Sequence, residues 1–217
     1  MSEGWRGYRY WMGITGYYMT ADEYENPHIL VSHDGFDWFP PPGLTNPIYG
    51  NPGLPRFYAD TDLVYDPDAD RLILYFIEAD QNDRDRKWLW ATTSTDGVVW
   101  TPKQLVVETS LRWIMSPAIV RVSANDWFIF GYQGWMRGTD PLAGWQDAMQ
   151  PYVWDNNAPN PVVWHLDVIL WEGIFYMLAL PIAAAGLLLS DGEDTRRFTR
   201  CRAQPAGELR EVVRRVQ

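Results

Sequence analysis

The phrase Ser-x-Asp-Gly-x-x-Trp is written twice in this chain, as Ser32-His33-Asp34-Gly35-Phe36-Asp37-Trp38 and as Ser94-Thr95-Asp96-Gly97-Val98-Val99-Trp100. Each copy ends a run of β-forming residues and is followed by a proline-containing stretch. Asp-Gly supplies a tight turn with left-handed backbone, and the Trp returns to cover the strand just left. A hairpin turn that recurs after tens of residues marks radial β architecture, above all the β-propeller. The chain is therefore predicted to be all-β, a propeller of four-stranded blades.

The clearest unit lies between residues 60 and 108. DLVYD (62–66), RLILYFIEA (71–79), WLWATTS (88–94) and KQLVVE (103–108) read as four successive antiparallel strands. Before it, YRYWMGITGYY (8–18) matches the second strand of such a unit and PHILVS (27–32) the third, with no counterpart of the innermost strand. A third unit starts at Ser116 and continues through WFIFGYQGW (127–135) to a variant turn, Thr139 to Trp145. A fourth starts at Trp164 and runs through IFYMLAL (174–180) to Ser190-Asp191-Gly192, with Phe198 as its aromatic. The count is about four blades over residues 1–204, which predicts a small closed ring, a truncated one, or one completed by a neighbour. In the tail, 205–217, Leu209, Val212, Val213 and Val216 recur at helical spacing. They predict a short amphipathic helix that covers an open edge of this domain, a protein partner or a second copy through residues 207–217.

Charge narrows the partners. The formal net charge is −10, yet residues 196–217 carry seven Arg against Glu208 and Glu211. The body is thus more acidic than the total, which argues against nucleic acid as a partner. Cys201 is the only cysteine, so no intrachain disulfide can form. No signal peptide is read in the first thirty residues, and the expected location is cytoplasmic or virion-associated. The uncharged run Ile174–Leu189 contains Pro181 and Gly186 and is read as two buried strands and a turn, with no membrane span. His28, His33 and His165 lack metal-ligand spacing, and no cofactor is expected. Asp66, Asp68 and Asp70 alternate like the start of a calcium loop but lack its downstream glutamate.

In a propeller the innermost strands begin at one mouth of the central channel, so their first residues converge from different blades. The sequence places Tyr58, Asp60 and Asp62 there in the second unit, Trp113 and Ser116 in the third, and Trp164, His165 and Asp167 in the fourth. In an extended strand Asp60 and Asp62 share one face, as do His165 and Asp167. Carboxylates, a histidine and aromatic walls suit carbohydrate chemistry. Glycoside hydrolysis needs an acid and a second carboxylate, and sugar rings stack on aromatic faces. Asp60, Asp62 and Asp167 are the candidate catalytic residues, with His165, Trp113, Trp164 and Tyr58 as substrate contacts. The competing role for each aspartate is a turn cap.

The strings YENPHILVSHDGFDWFPPPGLTNPI (24–48), DTDLVYDPDADRLILYF (60–76) and WHLDVI (164–169) resemble the five-bladed β-propeller glycosidases of the arabinanase and β-xylosidase clan, particularly their uncharacterised relatives in bacteria and phages. The similarity spans roughly residues 8–200 and makes an incomplete five-bladed ring an expectation. The turn phrase is also similar to the structural Asp-boxes of sialidases. The resemblance implies a site of two Asp and one Glu around the channel, with Asp60 or Asp62, and Asp167, in two of those places. No glutamate stands in IMSPAIV (114–120), where the general acid belongs. Glu25 is carried as a further catalytic candidate, although its assignment beside a third strand favours a structural role, bonding to nearby backbone. Two readings follow. One is a carbohydrate-active propeller that binds or hydrolyses a polysaccharide at the channel mouth. The other is a non-catalytic receptor-binding propeller, such as a phage tail component that contacts cell-surface glycans.

Overall fold

The computed structural model describes residues 4–109, 114–132, 134–145, 150–151, 153–154, 163–181, 186–190 and 197–200. Their strands form four sheets arranged in chain order. The first pairs β1 (Tyr10–Thr15) with β2 (Pro27–Ser32), and Phe39 bridges back to Val31. The second is a meander of β3 (Arg56–Asp66), β4 (Arg71–Asp80), β5 (Lys87–Ser94) and β6 (Gln104–Thr109). The third joins β7 (Ala118–Ser123), β8 (Asp126–Phe130), β9 (Gly134–Gly138) and β10 (Gln150–Pro151). Next comes β11 (Val153–Trp154), which pairs in parallel with the last strand of the fourth sheet. That sheet runs β12 (Val163–Trp171), β13 (Ile174–Pro181), β14 (Gly186–Ser190) and β15 (Arg197–Arg200). The predicted propeller of four-stranded units is therefore present, as is the strand pair expected in 174–189. WFIFGYQGW divides into β8 and β9, because Gly131 N–H donates to Gly134 O at 2.9 Å and closes a hairpin within it. The tail expected to be helical, 205–217, lies outside the described residues, as do Asp191 and Gly192.

The sheets stack face against face, and β4 shows why its sequence is apolar from Leu72 to Ile77. All eight residues from Leu72 to Ala79 are buried. Leu74 and Phe76 pack with Ile29 of the first blade, whereas Ile73, Tyr75 and Ile77 pack with Ile119, Trp127 and Ile129 of the third. Alternate side chains serve opposite faces, and both faces are covered. Val120, Phe128 and Phe130 continue the stack onto Val168, Phe175 and Met177 of the fourth blade.

The two repeated turns have the same internal wiring. Ser32 Oγ accepts from Gly35 N–H at 2.8 Å, and Ser94 Oγ accepts from Gly97 N–H at 2.8 Å. Asp34 Oδ1 accepts from the N–H groups of Phe36 and Asp37, and Asp96 Oδ1 from those of Val98 and Val99. Gly97, at φ +80°, also meets Trp11 of the neighbouring blade so closely that an added Cβ would lie 2.1 Å from its ring. Trp38 donates to Gly35 O at 3.1 Å, and Trp100 packs on the Ile29, Tyr58, Leu74 and Phe76 cluster. The acids of the 66–70 turn are engaged with cations and ring donors: Asp66 with Arg71, Asp68 with Arg121, and Asp70 with Arg6, Trp5 and Tyr65.

Candidate functional site

Strand β3 carries a bulge between Ala59 and Thr61, where Asp60 takes φ +42°. A bulge inserts one residue and reverses the alternation beyond it. Tyr58 and Leu63 accordingly face the first blade's cluster, whereas Ala59 and Val64 face the third blade's. The extended geometry expected for Asp60 and Asp62 is thus interrupted at Asp60 itself, yet both carboxylates are directed at the third blade.

Both aspartates bind N–H groups of the third blade, at different depths. Asp60 Oδ2 accepts from Ser116 N–H at 3.0 Å, and Asp62 Oδ2 from Ile119 N–H at 2.5 Å. Strand β7 is the inner edge of its sheet, so donors on that side have no ladder partner. Ser116 is buried and itself left-handed, at φ +46°. Its Oγ lies 2.7 Å from His165 Nδ1. Three blades therefore meet in one chain of contacts, Asp60 to Ser116 to His165. Two non-glycine residues in left-handed backbone at this junction place local strain at the site.

A cavity of about 550 Å³ opens here, lined by Glu25, Asp60, His165, Tyr17, Asp22 and Arg84 among others. Glu25 belongs in it. This corrects its expected placement at a third strand, away from the mouth. Successive strands of a meander alternate in direction, so the connection from second to third strand returns to the mouth where the first began. The β1–β2 connection carries Glu25, and the equivalent β4–β5 connection brings Gln81 and Arg84 to the same cavity. Burial, then the charges of Asp60 and Asp22, push the Glu25 carboxyl up to about 7. Asp62 is pushed up to about 7 as well, by burial first and by Asp167 in addition, against the opposing bond from Ile119 N–H.

The expected residues thus separate into groups. Asp60 and His165 reach the cavity with Glu25, while Asp62 and Asp167, each two residues further along its strand, are not among the residues lining it. Tyr58, expected to contact substrate, is a core residue. It is 4% exposed, packs edge-on to Phe76 and accepts from Lys103 Nζ at 2.6 Å. The bulge sends it inward. Trp113 lies outside the described residues, and Trp164 lies in β12 with its side chain outside them. Ser116 was placed at this mouth by the sequence pattern, but nothing in the pattern marked its bond to His165. No group of three or more His, Cys, Asp or Glu among the described residues is arranged to hold a metal ion.

No family model matches the chain. The crystal structure of an N-acetylgalactosamine deacetylase from F. plautii in complex with blood group B trisaccharide superposes with a TM-score of 0.81, at 23% identity, over 94% of this chain and 68% of that one. A Penicillium chrysogenum α-L-arabinanase complexed with arabinobiose superposes with a TM-score of 0.51, at 14% identity, over 81% of this chain and 54% of that one. The chain has the fold of the β-propeller glycosidases. In sequence, the A type blood N-acetyl-α-D-galactosamine deacetylase of Flavonifractor plautii is 39% identical over 99 residues, 45% of this chain. That match spans 11% of the deacetylase's length. The phage-tail reading gains no support from these relatives.

Proposed function

We propose that the protein is a carbohydrate-directed hydrolase whose reaction removes an N-acyl group from an amino sugar. The observation that carries this reading is the convergence of Glu25, raised to about 7, with Asp60 and the Ser116–His165 pair around one cavity. A general base works best when its pKa lies near the operating pH. Glu25 takes a proton from water as the water oxygen bonds to the acyl carbon. His165, oriented through Nδ1 by Ser116, gives a proton to the amide nitrogen as the C–N bond breaks. The products are a carboxylate and a free amino sugar. Asp60 holds the Glu25 proton affinity high through its charge and anchors the Ser116 backbone. The sequence likeness to a sugar deacetylase supports this choice of bond.

Glycoside cleavage is the second reading, favoured by one feature: a raised carboxyl, Glu25, and a charged one, Asp60, face the same cavity, the pairing that such hydrolysis employs. Incubation with α-linked N-acetylgalactosaminides separates the readings. Release of acetate with a new free amine supports deacylation, and release of a new reducing end supports glycoside cleavage. Binding without either product defeats both. Because the base must be ionised, deacylation should increase with pH through about 7.

A further inference from the structure

Residues 16–26, between β1 and β2, form the most aromatic exposed segment beside the cavity. Tyr17 is 54% exposed, Tyr18 67%, Met19 75% and Tyr24 44%. Tyr17 lines the cavity, and Tyr24 immediately precedes Glu25. The Tyr18 and Tyr24 rings stand edge-to-face, 5.5 Å apart at 86°. Exposing this much aromatic surface is costly, so the segment would fold its rings inward if the chain left it free to do so. It is instead pinned from elsewhere in the fold. Gln81 Nε2 donates to Asp22 Oδ2 at 3.0 Å, and Asn51 Nδ2 to Glu23 O at 2.9 Å. Met19 and Thr20 are held in left-handed backbone, at φ +54° and +57°, an arrangement that persists only where surroundings enforce it.

We infer that this segment is a second sugar subsite, in which Tyr17, Tyr18 and Tyr24 receive the ring next to the one acted on at Glu25. The inference rests on the carbohydrate reading above and extends it: the substrate is an oligosaccharide, read over at least two rings. A tyrosine suits the task because its face stacks on the C–H side of a sugar while its hydroxyl stays hydrated. Rigid pinning removes the ordering cost that a mobile loop would add to binding. Tyr17 makes the platform continuous with the cavity, so one glycan can occupy both.

The test compares kcat/KM on a methyl N-acetylgalactosaminide with kcat/KM on a trisaccharide ending in the same sugar. Wild-type protein should prefer the trisaccharide. Tyr18→Ala and Tyr24→Ala should each reduce that preference by about five- to tenfold, through KM. Tyr18→Phe, which keeps the ring, should retain it. The second arm measures trisaccharide binding to Glu25→Gln protein by calorimetry, with and without Tyr18→Ala. Weakened binding there supports the subsite even if the wild type releases no product, in which case the reaction proposed above falls alone. Turnover with an unchanged preference in both alanine variants overturns the subsite alone. A Tyr18→Phe loss equal to that of Tyr18→Ala overturns the stacking argument.

Discussion

Asp34 and Asp96 sit in the two exposed turns, whereas Glu25 and Asp62 sit at the junction of the blades, and their carboxyls shift in opposite directions. Backbone N–H groups from the residues that follow hold Asp34 and Asp96 below the usual carboxylate range. Burial first, and neighbouring carboxylates in addition, raise Glu25 and Asp62 to about 7. Asp62 does accept backbone donors, but those of Ile119 and Leu63 do not offset the loss of water and the nearby Asp167. The turn carboxylates are satisfied by their own local chain and serve the fold. Those at the blade junction are assembled from distant segments, remain poorly compensated, and are poised to exchange protons near neutral pH.

Glu25→Gln carries the largest expected effect on this contrast. It should lower turnover on an N-acetylated sugar by roughly 10²–10⁴-fold with little change in melting temperature. Turnover near the wild-type rate would remove Glu25 from the chemistry and leave its raised carboxyl without a function. On the side of the turns, Trp100→Ala should cost roughly 3 kcal/mol in denaturant titration, because the ring packs on the Tyr58 and Phe76 cluster. A cost near zero would show that the repeated phrase does not secure its blade.

Asp62→Asn should stabilise the protein above pH 7, by roughly 2 kcal/mol after allowance for screening. The sign follows from its raised carboxyl. Folding favours the protonated form, so wild-type stability falls as pH rises from the ordinary value of 3.8 to about 7. The amide removes that loss and can still accept from Ile119 N–H. The gain should vanish below about pH 4, where the acid is neutral in both states; a gain that persists there would mean that charge is not its origin. Asp96→Ala is the smallest effect, a loss of about 1 kcal/mol for an exposed turn. Its pH dependence should be opposite: the contribution is present above the ordinary carboxylate range and lost as pH falls through the depressed value. Urea titrations across pH would reveal whether the two classes of carboxylate really oppose one another.

Local pattern was enough for much of the fold. Pro27–Ser32 forms a strand as the sequence alone implies, and the two Ser-x-Asp-Gly-x-x-Trp turns close as their residues require. These features depend on bonds between residues two or three apart and on side-chain alternation within one strand, both properties of a short stretch of chain. The mouth was legible only in outline. The starts of inner strands place Asp60, Ser116 and His165 there, yet Tyr58 lies in the core and Glu25 lies at the mouth, where the pattern does not put it. A single left-handed residue, Asp60, reverses the faces of β3 beyond it. Nothing in a propensity pattern marks it, because the bulge is stabilised by Ser116 N–H, 56 residues away. Glu25 enters the cavity because alternating strand directions return its loop to the mouth. Its raised carboxyl then depends on burial and on Asp60 across the cavity. Desolvation and charge coupling act through space, so they exist only once the blades have packed.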